Sequence, residues 1–172
     1  VTFTSFAEQE SKVKEYRCRI QNCNPVGGFV NNQVNTVNFL YCHEDSDTGT
    51  KVGMRMIQHF NYLAAQLDMA KEAVPTKSYP SAGLLPSLRR QASSPGEQAK
   101  APEGIAVGNP AHLIKELKKW EACGVDRVSF MMNAAEIIPQ EQVLASLRLF
   151  AKEVMPAFTD SRARVAVVGG GR

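Results

Sequence analysis

The sequence predicts an α/β fold built on a parallel sheet, and two observations carry this prediction. Residues 105–158 are punctuated as an amphipathic helix, a glycine turn, a nearly continuous apolar strand, a loop and a second amphipathic helix. Before them, residues 1–72 have the order strand, helix, strand, helix. Strands that alternate with helices are typical of parallel sheets, whose buried strands are nearly continuous apolar runs.

The helix after Gly108 has clear start and stop signals. Asn109 is the expected N-cap, Pro110 suits the first helical position, and Gly124 ends the helix. The apolar residues that recur at helical spacing on its predicted inner face are Leu113, Ile114, Leu117 and Trp120.

An apolar strand and a last helix follow. The strand is predicted from Val125 to Met132, with its core at residues 127–132, and Pro139 opens the helix. The predicted inner stripe of this helix consists of Val143, Leu147, Phe150 and Val154.

The first half of the chain contains two further strand and helix pairs. Val1 to Thr4 and Val34 to Tyr41 are the predicted strands. Ser5 and Glu8 have the spacing of a capping box, which starts a helix that runs to about Asn22. Its predicted inner face carries Val13, Tyr16 and Ile20. The next helix, capped by Asp47 or Thr48, is predicted to bury Val52, Met56, Phe60, Leu63 and Leu67.

Two segments lie outside these elements. Residues 73–103 are rich in proline, serine, glycine and glutamine, which predicts a long connection. Residues 159–172 end in a valine run and three glycines, as at the start of a dinucleotide-binding unit. Because the helix and acidic residue of that unit do not follow, we interpret these residues as a tail.

Composition excludes several classes of protein. The net charge of +3 arises from mixed signs spread along 172 residues, which does not favour nucleic acid as a partner. No apolar run approaches the ~18 residues of a membrane helix, and we expect a cytoplasmic protein. The four cysteines form no C-x-x-C pair, and reduced thiols are expected.

Several short motifs resemble those of the luciferase-like monooxygenases, the flavin-dependent oxidoreductase family that includes the bacterial luciferases. These motifs are Gly108-Asn109-Pro110, Cys123-Gly124-Val125-Asp126-Arg127-Val128, Ile138-Pro139-Gln140-Glu141 and Val154-Met155-Pro156-Ala157-Phe158. Two departures are Cys123, where the family usually has alanine, and Ala134-Ala135, where close relatives often carry glycine.

The resemblance implies that residues 1–158 are the C-terminal part of a (β/α)8 TIM barrel. The strands beginning at Val1, Val34 and Val125 would then be its last three strands. A complete barrel typically needs ~250 residues, more than this chain has. In the family, the connection at residues 73–103 is a variable insertion that shapes the substrate side.

The resemblance also implies an activity. A reduced flavin, FMN or alternatively a deazaflavin, would act with oxygen on a small organic substrate. We expect a homo-oligomer or association with a complementary barrel half. The alternative is a noncatalytic chain, either a truncated product or a subunit that stabilises a partner.

By the same resemblance, Phe6, Asn133 and Ser5 are the candidate cofactor-binding residues, with Phe6 and Asn133 beside the flavin ring. Each also has a structural interpretation: Phe6 as a packing residue, Ser5 as a helix cap and Asn133 as a turn residue. We name no catalytic residue, because the family's catalytic histidine and phosphate-binding loops belong to earlier strands.

One histidine and three cysteines have side chains that could take part in catalysis or bind a metal. His43 follows the second predicted strand and could act as an acid or base, but we interpret it as a loop residue. Cys18, Cys23, Cys42 and His43 lack the spacing of a usual zinc site, so we predict no metal.

Overall fold

A computed structural model of the chain describes residues 5–73 and 101–158, without the side chains of residues 68–73. Its elements, renumbered in chain order, are α1 (Phe6–Arg19), β1 (Asn35–Cys42), α2 (Ser46–Ala73), β2 (Ala106–Gly108), α3 (Pro110–Ala122), β3 (Arg127–Met131) and α4 (Gln140–Leu149). A short 3-10 turn, Ile20–Asn22, follows α1, while a π turn, Phe150–Val154, and a 3-10 turn, Met155–Phe158, continue α4. None of the described helices is long and apolar enough to cross a membrane.

The three strands form one parallel sheet in the order β2-β1-β3. The predicted parallel pairing of β1 with β3 is therefore confirmed, whereas the predicted strand Val1 to Thr4 lies outside the described residues. The predictions of β1 and β3 are correct except for small errors at the ends of the two strands. The three-residue strand β2 was not predicted, because it directly follows the long connection.

Helices cover both faces of the sheet. Phe39, Tyr41 and Val107 belong to the core cluster that includes α2, while Leu40 and Ala106 pack with α3 on the other face. Alternate residues of a strand point to opposite faces, which explains this division. A barrel segment has its helices on the outer face alone, so the expectation that helices pack on one side of the sheet is wrong.

The strand order explains why both faces are covered. From β1 the chain moves to β2 on one side, and from β2 it crosses to β3 on the other side of β1. Right-handed crossovers that travel in opposite directions place their helices on opposite faces. A barrel segment would instead keep its strands in chain order, so the described residues form an open α/β sheet and no barrel is seen in them.

A barrel segment without its opposite wall would leave one apolar face of the sheet uncovered, and Tyr41, Phe130 and Met132 are the residues that we expect to be exposed there. Tyr41 is in fact only 4% exposed, and Phe130 and Met132 are half-buried. The expectation is wrong for Tyr41 because this side chain packs in the core cluster that includes Met54 and Met56 of α2.

The helix starts follow the expected capping chemistry at two of three positions. The Ser5 capping box is complete, and the Asn109 side chain accepts the N–H of His112 at 2.9 Å. The third prediction is wrong: Asp45, rather than Asp47 or Thr48, caps α2 by accepting the N–H of Thr48 at 2.8 Å.

Close packing of α2 on β2 depends on two glycines. A Cβ atom at Gly49 would lie 2.6 Å from the carbonyl oxygen of Gly108, and one at Gly53 would lie 2.5 Å from Cβ of Val107. The helix face that contacts the sheet is therefore partly made of glycine. The buried face of α2 therefore differs from the predicted apolar stripe. Leu63 and Leu67 of that stripe are exposed instead of buried.

The inner faces of the other helices agree with prediction at most positions. Leu113, Leu117 and Trp120 of α3 are buried, as are Val13 of α1 and, after α4, Phe150 and Val154. Tyr16 and Leu147 were predicted to be buried but are exposed.

Candidate functional site

The carboxyl ends of β1 and β2 meet at a point where the chain leaves to opposite faces of the sheet. The N–H of His43, just after β1, donates to the carbonyl oxygen of Gly108 at 2.9 Å. From here β1 continues into α2 on one face, and β2 continues into α3 on the other. In open α/β sheets, ligands bind outside the carboxyl ends of strands at such a switch point.

A cleft of about 440 Å³ lies at the end of β1 between α2 and α4, and no residue of β2 or α3 lines it. Tyr41 and Val52 contribute apolar surface, while Thr48 and Gln142 contribute polar groups from the first turns of the two helices. The remaining lining residues are Cys42, His43, Glu44, Ala145, Ser146 and Leu149. We call this space the β1 cleft.

Ser146 positions α4 beside the β1 cleft. Because β3 ends at Met131, opposite Phe39, the last residues of β1 have no neighbouring strand on that side. The Ser146 hydroxyl takes its place and accepts the N–H of Cys42 at 2.7 Å. Sequence reasoning missed this contact because it chose Leu147, which is 43% exposed, as the inward residue of α4. A serine between an alanine and a leucine gives little signal of burial.

The titratable groups at the end of β1 are either hydrogen-bonded to nearby residues or buried. His43 Nδ1 accepts the N–H of Asp45 at 3.0 Å, so the neutral ring carries its proton on Nε2. Hydrogen bonds from the Thr48 hydroxyl and N–H lower the pKa of Asp45. Burial raises the pKa of the Cys42 thiol to about 11, so this sulfur stays protonated at neutral pH and is a poor nucleophile or metal ligand.

Phe6 lies on the α3 face of the sheet, away from the β1 cleft. Its ring makes an edge-to-face contact with Trp120 at 4.7 Å between centroids, and it also approaches Gly104. Ser5, next to it, donates to and accepts from Glu8 within the capping box. Both residues therefore have well-defined structural partners.

Asn133 lies in the loop after β3, with a φ of 51°. Its side-chain amide makes two hydrogen bonds with the backbone of Ile138, at 2.8 and 2.9 Å. Its own N–H contacts Sδ of Met56, on α2, at 3.2 Å. Because α2 lies on the opposite face from Phe6, the structure does not bring these two candidate residues together.

Among the described residues, no group of three or more histidine, cysteine or acidic side chains is placed to hold a metal ion. Cys18 and Cys23 are exposed, whereas Cys42 and Cys123 are buried in the core.

Comparison with protein-family models, with curated proteins and with solved structures found no match. The chain's own motifs and geometry are therefore the basis for the functional proposal.

Proposed function

We propose that this chain is part of a flavin-dependent oxidoreductase of the luciferase-like type, acting on a small organic substrate in the cytoplasm. The observation that supports it is local: motif residues begin and end α3 and precede β3, although the strand order is that of an open sheet. Asn109 caps α3, Gly124 ends it with a φ of 96°, and Asp126 lies at the start of β3.

The cofactor is best accommodated at the carboxyl edge of the sheet. In the β1 cleft, Tyr41 and Leu149 offer apolar surface to a flat ring, and Thr48 and Gln142 offer polar atoms to its edge. Phe6 and Asn133 cannot flank the same ring in this arrangement, because they lie on opposite faces of the sheet.

When bound, a reduced flavin supplies the electrons and, with oxygen, the oxygen atom that is transferred to the substrate. The contribution of the protein is to bind and orient the ring and to exclude water from it. A deazaflavin would occupy the same edge and would support hydride transfer instead.

Flavin titration of the purified chain tests this proposal. Binding of oxidised and reduced FMN, and of a deazaflavin in parallel, is followed by flavin fluorescence and absorbance. The variant Ala145→Trp fills the β1 cleft from an exposed position of α4, and Ala122→Trp adds the same side chain at the far end of α3. We expect saturable binding that Ala145→Trp abolishes and Ala122→Trp preserves.

The other outcomes separate the competing functions. Binding that survives in Ala145→Trp would place the cofactor elsewhere in the chain. Failure of every flavin to bind would favour the second candidate, a noncatalytic subunit that stabilises a partner. That candidate is supported by three exposed apolar side chains at the C-terminal end of the described chain, Leu144, Leu147 and Met155.

A further inference from the structure

The outer edge of β3 has no strand beside it within residues 5–73 and 101–158. An unpaired edge presents free N–H and C=O groups, and proteins usually protect such edges with charged residues, proline or bulges. In β3 the only charged residue is Arg127, at its first position. The opposite edge, β2, is better protected, because Ala106 and Val107 are completely buried.

A groove of about 410 Å³ lies between β3, α3 and the end of the described chain, and its lining includes the charged residues Glu121, Asp126 and Arg127. Val128 and Phe130 project from β3 into it, and Phe150, Met155 and Phe158 line it from the end of the chain's last helical segment. Phe130 packs edge-to-face on Phe150 at 5.3 Å, and Met155 is 54% exposed. Apolar side chains of β3 and of the last helical segment therefore lie together on one face of this strand.

The side chains of β3 are complementary to a second copy of the same strand. If two β3 strands pair antiparallel about Ser129, Val128 of one copy lies opposite Phe130 of the other, twice. Aromatic and β-branched residues form favourable cross-strand pairs, as do two serines. On the other face, the two Ser129 side chains meet at the twofold axis, and Arg127 of each copy lies two residues away from Ser129.

We propose that two copies of this chain associate through their β3 edges, which joins the two sheets into one of six strands. The association is isologous, so both copies contribute the same surface. It goes beyond the proposed enzymatic function by naming the surface through which the expected homo-oligomer forms, and it does not depend on flavin binding.

Charge substitution at the twofold axis tests this pairing. In antiparallel strands, directly opposite residues have Cβ atoms about 5 Å apart, so two like charges there repel. Sedimentation velocity over a range of concentrations should show a dimer for the wild type and a monomer for Ser129→Lys and for Ser129→Glu. An equimolar mixture of the two variants should restore the dimer, because opposite charges then meet at the axis. Ser11→Lys, an exposed substitution on α1, is the matched control and should remain dimeric.

Restored association in the mixture also shows that the single variants are folded. A wild-type protein that sediments as a monomer or as a broad series of larger species would overturn the proposal. It would equally be overturned if Ser129→Lys stayed dimeric, or if the mixture stayed monomeric while circular dichroism showed both variants to be folded.

Discussion

The amino-terminal and carboxyl-terminal ends of the sheet differ in how their residues are connected. At the amino-terminal end, Arg17 of α1 donates to the carbonyl oxygen of Gly124 at 2.7 Å and to the Asp126 carboxylate. Asp126 in turn accepts the N–H of Val34 at 2.7 Å, and Arg17 also reaches Asn32 at 2.7 Å. One pair of side chains thus joins α1, the start of β1 and the start of β3.

A second network at this end is centred on Gly104, which has a φ of 78°. Its carbonyl oxygen accepts from Trp120 Nε1 at 2.8 Å and from Asn38 Nδ2 at 2.6 Å. Its N–H donates at 2.7 Å to the buried carboxylate of Glu116, which Lys119 also contacts. Because buried polar groups are costly when unpaired, these partners are required together.

At the carboxyl-terminal end, most side-chain hydrogen bonds are local. His43, Asp45 and Thr48 bond within one turn, and Asn133 bonds to Ile138 five residues later. This end also contains the β1 cleft. The contrast indicates that one end of the sheet maintains the fold and leaves the other available for a ligand, as in parallel α/β enzymes generally.

The largest expected effect is at the amino-terminal end. Trp120 is 3% exposed, and its replacement by alanine removes both its core packing and its hydrogen bond to Gly104. We expect Trp120→Ala to lower the free energy of unfolding by roughly 3 to 5 kcal/mol, measured by urea denaturation. Tyr62→Ala, at an exposed aromatic residue of α2, is the control. A near-neutral change at Trp120 would contradict the burial that we describe.

Substitution of a glycine between α2 and β2 should have the next largest effect. Gly53→Ala would force the helix away from Val107, and we expect a loss of about 1 to 3 kcal/mol from this overpacking. At Gly27, by contrast, a Cβ atom would meet nothing within 4 Å, and Gly27→Ala should be close to neutral. Equal effects of the two substitutions on thermal unfolding would be evidence against the close approach.

Asp126 should give the fold a dependence on pH. Burial raises the pKa of its carboxyl. The hydrogen bond from the Val34 N–H and the Arg17 guanidinium together lower this pKa by more, so that the net shift is downward. Its contribution is therefore present above the unfolded pKa of about 3.9 and is lost as the pH falls through the lower folded pKa.

We expect Asp126→Asn to cost about 1 kcal/mol near neutral pH, since the carboxyl is 44% exposed and the pair is screened by solvent. The loss of stability between about pH 5 and pH 2 should be smaller in this variant than in the wild type. Urea denaturation at several pH values measures both quantities. Combination with Arg17→Gln should give a double variant less destabilised than the sum of the two, and full additivity would show that the pair is not coupled.

The smallest effect is expected at the carboxyl-terminal end. His43→Ala removes one local hydrogen bond to Asp45, so its cost should be below about 1 kcal/mol. We interpret His43 as a loop residue, and a complete enzyme with this substitution should keep most of its turnover rate. A large fall in kcat with unchanged folding would instead assign His43 a catalytic role.

Local signals in the sequence predicted most of the elements but not how they are arranged. Capping residues such as Ser5 and Asn109, and the turn at Gly124, act over a few positions and were recognised correctly. The strand order was not predicted, because β2 is only three residues long and nothing local shows that it lies beside β1.

The candidate site was predicted less well, for a related reason. Ser146 and Gly49 act through contacts with backbone atoms of β1 and β2, which are distant in sequence. Neither residue has the size or charge that attracts attention in a sequence. Whether Phe6 and Asn133 bind a cofactor remains a prediction, although the structure now shows that they lie on different faces.

The bond between Arg17 and Asp126 joins residues that are 109 positions apart in the chain. Closure of so long a loop costs entropy before its contacts can form, so we expect α1 to dock after the folding transition state. Stopped-flow kinetics of Arg17→Ala should then show faster unfolding with a nearly unchanged folding rate. In that case, the lifetime of the folded state depends on the contacts that hold α1 in place, even though this helix contributes only one buried side chain, that of Val13.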